Sequence, residues 1–399
     1  MISKLLAYKE NLLFLIFSVI GIIITIINST ILANYYSIEE FGIYQLLLTF
    51  IGVLTVFNLT GYDVFIQKKI FLLEIAYFYY VIKRIIPISL IVLWAVNGVL
   101  YFVEYDSFKL FFLASILVSF SIFDKLSSLL EINKKFKLLR YIDLSQKILF
   151  LCLSLVVLSY DINLETFLES FVILYVILIC IKIYYSFFIL KGRNSEIDAF
   201  DLKEFNNDSI KRTLSISYAI FVSWIERLVL GIISPALLAV FSIAYLVPKI
   251  LKDNVKVLLK PTVFTWINKG KEEYLENIKK YSKWFILAGL MVFFMMNVLI
   301  YPFVNFLYPL YIDSIIYSQV LSIQLIFIFY IFSISIYIMY FGSSDAYNEI
   351  INITNTMKII LSLLLVPIFK IDGAIISILF PELYRQYKIY KLEVKNLKG

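Results

Sequence analysis

SIIYSQVLSIQLIFIFYIFSISIYIMYFGSS, from Ser314 to Ser344, is thirty-one consecutive residues without a charge. A bilayer core of about 30 Å takes roughly 20 apolar residues in a helix, so this run holds one tilted helix but is too short for two helices and a turn. It is apolar on every face rather than alternating, which requires a helix and not a barrel strand. Working outward, the same reading marks twelve spans, at 11–32, 43–60, 85–103, 110–130, 147–160, 167–190, 214–233, 236–252, 284–306, 314–340, 358–369 and 373–389. The composition agrees: 61% hydrophobic and 16% charged residues, with a mean hydropathy of +0.89, against roughly 45–50% apolar and about 25% charged in soluble proteins. The chain reads as an all-α integral membrane protein of about twelve transmembrane helices. Lys4 and Lys9 precede the first span as in a signal peptide, but its apolar run is too long and no small-residue cleavage motif follows, so it is expected to stay.

The formal charge of +7 is ambiguous until the basic residues are sorted by side. With the N-terminus inside, the outside loops would be 33–42, 104–109, 161–166, 234–235, 307–313 and 370–372, and they hold only Lys109 and Lys370. The inside loops carry Lys68, Lys69, Lys83 and Arg84, then Lys134, Lys135, Lys137 and Arg140, then Lys191, Arg193, Lys203, Lys211 and Arg212, and a run of lysines between Lys256 and Lys283. This bias places both termini in the cytoplasm. The charge is therefore a topology signal, and nucleic acid is not an expected partner. The longest polar stretch lies near the middle and divides the chain into a six-helix lobe at 1–190, a cytoplasmic linker at 191–213 and a second six-helix lobe at 214–399. Ser37–Tyr44 (SIEEFGIY) and Ser234–Phe241 (SPALLAVF) fall at equivalent places in the two halves, and repeated halves are a common transporter design.

Several chemistries are excluded. The chain has no histidine, so Ser/His/Asp triads, Cys/His dyads and imidazole relays are ruled out. Cys152 and Cys180 sit in apolar stretches without the number or spacing of a metal site or a disulfide framework. No outside loop exceeds about ten residues, which leaves no room for a folded extramembrane catalytic domain.

Charges at membrane depth are the candidate functional groups, because each costs about 2.5–3.5 kcal/mol at the bilayer centre unless it faces a cavity or a partner. Asp124 and Lys125 are adjacent in the fourth span, and Glu226 and Arg227 in the seventh. Adjacent helical residues point about 100° apart, so each faces something different. One reading has Arg227 and Lys125 holding an anionic group while Glu226 or Asp124 exchanges a proton or sodium ion. The other has the four forming interhelical pairs that fix packing. Glu382 and Arg385 share a face and read as an i,i+3 pair near the membrane edge, and Glu169 lies in the outer part of the sixth span. Helix 1 aligns Ser18, Gly21, Thr25 and Asn28, and the tenth span aligns Tyr330, Ser333, Tyr337 and Tyr340. Both stripes fit cavity lining, with Thr25, Asn28 and Tyr337 as candidate substrate contacts, or close packing and an interfacial belt.

Two passages, YYSIEEFGIYQLLLTFIGVLTVFNLTGYDVFIQKK (Tyr35 to Lys69) and WIERLVLGIISPALLAVFSIAYLVPKIL (Trp224 to Leu251), resemble the polysaccharide transporters of the multidrug/oligosaccharidyl-lipid/polysaccharide exporter superfamily, in particular O-antigen flippases of the Wzx type. Gly42-Ile43-Tyr44 matches the family's Gly-x-Tyr at the start of helix 2, and Glu226 stands where an acidic residue, more commonly Asp, lies in helix 7. Ala239-Val240-Phe241 and Ala244-Tyr245 depart from the helix 8 pattern, with the glycine and the tyrosine both replaced. The resemblance implies a MATE- or flippase-like fold and a flippase, not an enzyme, in the bacterial inner membrane. It would carry an undecaprenyl-diphosphate-linked oligosaccharide from the cytoplasmic to the periplasmic leaflet, with no bound cofactor but with proton or sodium coupling. Membrane lipids and other polysaccharide-assembly proteins are the implied partners. A membrane polymerase or ligase of the same glycan pathway would need a long outside loop, which this sequence lacks. A multidrug exporter of the same superfamily would be longer and carry a carboxylate in the first helix, where 11–38 is uncharged.

Overall fold

The computed structural model describes residues 2–58, 86–102, 108–123, 136–190, 202–267, 270–341 and 344–398. Every regular element among them is helical: α1 (Ile2–Tyr35), α2 (Ile38–Leu54), α3 (Ile86–Phe102), α4 (Phe108–Phe123), α5 (Phe136–Tyr160), α6 (Leu164–Leu190), α7 (Leu202–Ile233), α8 (Pro235–Ile267), α9 (Lys271–Leu307), α10 (Ser314–Leu321), α11 (Ile328–Phe341) and α12 (Ser344–Lys398). Short 3-10 turns follow α2 and α10.

Seven of these helices are long and apolar enough to cross a membrane, eight if the bent α10–α11 pair is one span. That is fewer than the twelve expected. The first, third and fourth expected spans appear as shorter apolar helices, Val19–Tyr35, Ile86–Tyr101 and Phe108–Ile122. The eleventh and twelfth fall within α12, which is broken at Lys370 (φ 52°, ψ −120°). The break is a reversal. A Cβ on Gly373 would stand 2.3 Å from the Leu365 carbonyl oxygen, whereas eight residues of straight helix span about 12 Å. Only a residue without a side chain lets the returning arm come so close.

The chain forms two compact units, residues 1–40 with 46–224 and residues 41–45 with 225–399. The expected linker at 191–213 ends inside α7, which begins at Leu202. In the first unit α5 packs on α1 and α6, and α4 on α3 and α6. Asp161, at positive φ (51°), turns α5 into α6 and accepts a hydrogen bond from the Tyr35 hydroxyl, while Tyr36 donates to the Ile162 carbonyl at 3.1 Å. In the second unit α8 packs on α10 and α11, α9 on the same pair, and α12 on both.

Ser37 and Ser234 do the same job in the two halves. Ser37 Oγ accepts from the Glu40 amide at 3.2 Å, and the Glu40 carboxylate accepts from the Ser37 amide at 3.0 Å, a reciprocal capping box. Ser234 Oγ accepts from the Leu237 amide at 3.4 Å, with Pro235 at the first helical position, where a missing N–H costs nothing. Each cap stabilises its helix by about 1 kcal/mol.

Candidate functional site

The polar interior of the second unit is built on α7, α8, the α10–α11 break and α12. Glu226 is 2% exposed, and its Oε1 lies 2.6 Å from the Nζ of Lys358 on the first arm of α12. Arg227, the next residue and so on another face of α7, is half-buried and stands 5.1 Å over the ring of Tyr245 on α8. Tyr245 lies within electrostatic range of Arg227, Glu226, Glu382 and Asp253, and Lys249 within range of Arg227 and Asp253. One turn on, Lys252 donates to Gln324 Oε1 at 3.0 Å and lies 3.6 Å from Glu382.

The break that presents Gln324 interrupts the charge-free run. Ser314–Leu325 and Ile328–Ile338 are bent by 44°, with 3-10 geometry at Ser322–Leu325. No proline or glycine lies in the segment, so the bend comes from its neighbours. Gly289 of α9 meets the Ile326 carbonyl so closely that a Cβ there would be 1.9 Å from the oxygen. Asn297 of α9 donates to Ser322 at 3.1 Å, and Ser318 donates to the Ala244 carbonyl of α8 at 2.5 Å. One side chain of α9 and one backbone carbonyl of α8 therefore tie the hydroxyls of the irregular segment to its neighbours.

Five cations (Arg227, Lys249, Lys252, Lys358, Arg385) and three carboxylates (Glu226, Asp253, Glu382) belong to this region. The arrangement is net positive, as a site for an anion requires. Among the described residues no cluster of potential metal ligands occurs.

The structure brings only some of the sequence candidates together. Glu226 and Arg227 lie in this region, whereas Asp124 and Lys125 fall outside the described residues. In the first unit, Asn28 accepts a hydrogen bond from Ser154 of α5. Thr25 donates to the Gly21 carbonyl of its own helix at 2.8 Å. A Cβ on Gly21 would meet the side chain of Lys147, so Gly21 and Asn28 face α5. Tyr337 is 2% exposed and packs in an aromatic cluster, 5.6 Å from Tyr274 and 5.7 Å from Phe341. Glu169 lies 3.5 Å from Lys109, and both are exposed.

Sequence reasoning missed Lys252, Gln324 and Lys358 in the second unit, and Lys182 in the first, where it is largely buried 3.2 Å from Asp143. The lysines of α8 and α12 stand at the ends of apolar runs, where a basic residue reads as an interfacial anchor. The Glu382–Arg385 pair forms at its i,i+3 spacing, but Glu382 is 13% exposed and also engages Lys252, so it is a buried interhelical contact rather than a surface pair. Outside the spans, burial pushes the Tyr311 hydroxyl well above the usual phenol range, so it stays protonated.

No protein-family model matches the sequence, and no curated protein does. Solved structures do match. The lipid II flippase MurJ in an inward closed conformation superposes with a TM-score of 0.74 at 14% identity, covering 96% of this chain and 87% of that one. An inward-facing multidrug resistance MATE family transporter of the MOP superfamily gives 0.63 at 14% identity, covering 94% and 96%. An outward-facing structure of a MATE family transporter gives 0.56 at 14% identity, covering 95% and 96%. At these identities the likeness establishes the fold: the chain is an all-helical, multi-pass membrane protein with the fold of MOP-superfamily transporters.

Proposed function

We propose that the chain is a flippase for an undecaprenyl-diphosphate-linked oligosaccharide, moving the repeat unit of a surface polysaccharide between leaflets of the bacterial inner membrane by alternating access. In this reading it has twelve spans, with both termini cytoplasmic. The observation that carries the proposal is the net positive interior of the second unit around Arg227 and Tyr245. A diphosphate headgroup is multiply anionic and cannot cross hydrocarbon unaided, and a guanidinium matches phosphate oxygens in bidentate geometry. Arg227 is the first contact, with Lys125, Thr25, Asn28 and Tyr337 as further candidates. The MATE likeness leaves a multidrug exporter as the second reading, and an excess of cations suits an anionic cargo better than a cationic drug.

Arg227→Ala is expected to reduce surface polysaccharide at least tenfold while the protein accumulates normally in the membrane, since loss of a buried charge-assisted contact costs about 2–5 kcal/mol. Wild-type polysaccharide at normal protein levels removes Arg227 from the site. Ion coupling through Glu226 requires a proton or sodium ion to displace the Lys358 ammonium. Glu226→Gln in reconstituted vesicles is therefore expected to abolish the dependence of transport on the ion gradient. An unchanged dependence assigns Glu226 to packing, and Asp124 would then be the remaining candidate.

A further inference from the structure

Glu382 is the anion at the centre of a small network. Its Oε1 accepts from Arg385 at 2.5 Å and from Gln386 at 3.4 Å, and lies 3.6 Å from Lys252 Nζ, which also donates to Gln324 at the helix break. The three charged side chains are 13% (Glu382), 18% (Lys252) and 32% (Arg385) exposed, shielded yet reachable. Two donors are left over. Gln324 Nε2 and Arg385 Nε are buried without a hydrogen-bond acceptor among the described residues. Gln386 Oε1, an acceptor, is idle there too, so what these contacts lack is not oxygens alone but negative charge: one carboxylate faces two cations, with two idle N–H groups in the same network. Burying N–H donors unpaired is unfavourable, and the oxygens of a phosphate would relieve it.

We propose that Glu382 is a tethered anion: it holds Lys252 and Arg385 while the transporter is empty and yields them to the diphosphate of the arriving lipid headgroup. This rests on the anionic-headgroup reading above and adds how the site behaves without its cargo. A diphosphate offers more oxygens and more charge than one carboxylate, so it can engage Arg385 bidentately and reach Gln324 as well. When it leaves, Glu382 closes on the same cations, so an empty transporter never carries them unpaired through a low-dielectric interior. The tethered carboxylate thus competes with the substrate, weakening binding while speeding release and the return of the empty protein. Nothing covalent changes; an ion-pair partner is exchanged.

The test uses the full-length protein in detergent with farnesyl diphosphate as probe and farnesol as the control for its lipid tail. Glu382→Gln, which keeps the shape and removes the competing charge, is expected to bind farnesyl diphosphate about tenfold tighter than wild type, the lower end of the coupling seen for close charge pairs. Glu382→Asp restores the wild-type Kd, and farnesol binds all three proteins alike. Lys252→Met is expected to bind the diphosphate at least tenfold more weakly, and this variant serves if Glu382→Gln does not fold. Wild-type binding with an equal or weaker Kd in Glu382→Gln overturns the proposal, as does an equal gain for farnesol or an unchanged Kd in Lys252→Met. If farnesyl diphosphate binds none of these proteins, the anionic-headgroup reading itself falls, and the tethered anion falls with it.

Discussion

Lys358→Ala is expected to lower the melting temperature of the detergent-solubilised protein by about 10 °C, the largest loss for any single charge in the second unit. The ammonium is 2.6 Å from a carboxylate that is 2% exposed. Removing it strands Glu226 as an uncompensated buried charge, and breaking such a pair costs about 3–5 kcal/mol, with each kcal/mol worth roughly 2–4 °C in a unit of this size. The effect is asymmetric. Glu226→Gln leaves Lys358, whose side chain is 19% exposed and long enough to swing its charge toward water, so that variant loses less. Pairing Lys358→Met with Glu226→Gln is expected to recover most of the loss, because neither partner is then a stranded charge. Lys358→Ala melting with the wild type would show that the pair contributes nothing to stability.

Gly289→Ala is expected to destabilise the protein by about 3 kcal/mol, although alanine is the better helix former by about 1 kcal/mol. The added methyl would sit 1.9 Å from the Ile326 carbonyl oxygen. That oxygen belongs to a segment tied to α8 through the Ser318 hydrogen bond and to α9 itself through Asn297, so α9 and the segment have to move apart, at the upper end of the overpacking range. Small residues that let backbones touch are the usual cement between membrane helices, where no hydrophobic force separates helix from lipid. Gly98→Ala is the control. A Cβ there has no neighbour within 4 Å, so only the propensity gain should appear. Comparable melting of Gly289→Ala and Gly98→Ala would refute the close approach.

The sequence located the helices better than what happens inside them. Long apolar runs sit in predictable places because lipid leaves the backbone no alternative to the helix, and the expected turn at 370–372 coincides with the reversal at Lys370. The break after Leu321 was not legible. SIIYSQVLSIQLIF carries no proline or glycine, and the cause lies in contacts with α8 and α9 that are 25 to 74 positions away, which no local pattern reveals. The charged site was half legible. Glu226 and Arg227 stand out because they interrupt an apolar helix, while Lys252 and Lys358 sit where a lysine ordinarily anchors the interface. Which way a long side chain turns depends on whether a carboxylate waits on the neighbouring helix, and that is a property of the packed unit. Thr25, Asn28 and Tyr337 show the same limit, since a polar stripe marks a face without saying whether it meets water or another helix.

The reversal at Lys370 also bears on how the protein is made. The two arms of α12 are joined by so few residues, with the Gly373 backbone against the Leu365 carbonyl, that only the short turn carrying Lys370 and Asp372 lies between them. Insertion machinery must therefore receive both arms as a prefolded hairpin. The two arms then enter the bilayer as one unit, and Lys358, on the first of them, reaches Glu226 only once that unit is in place.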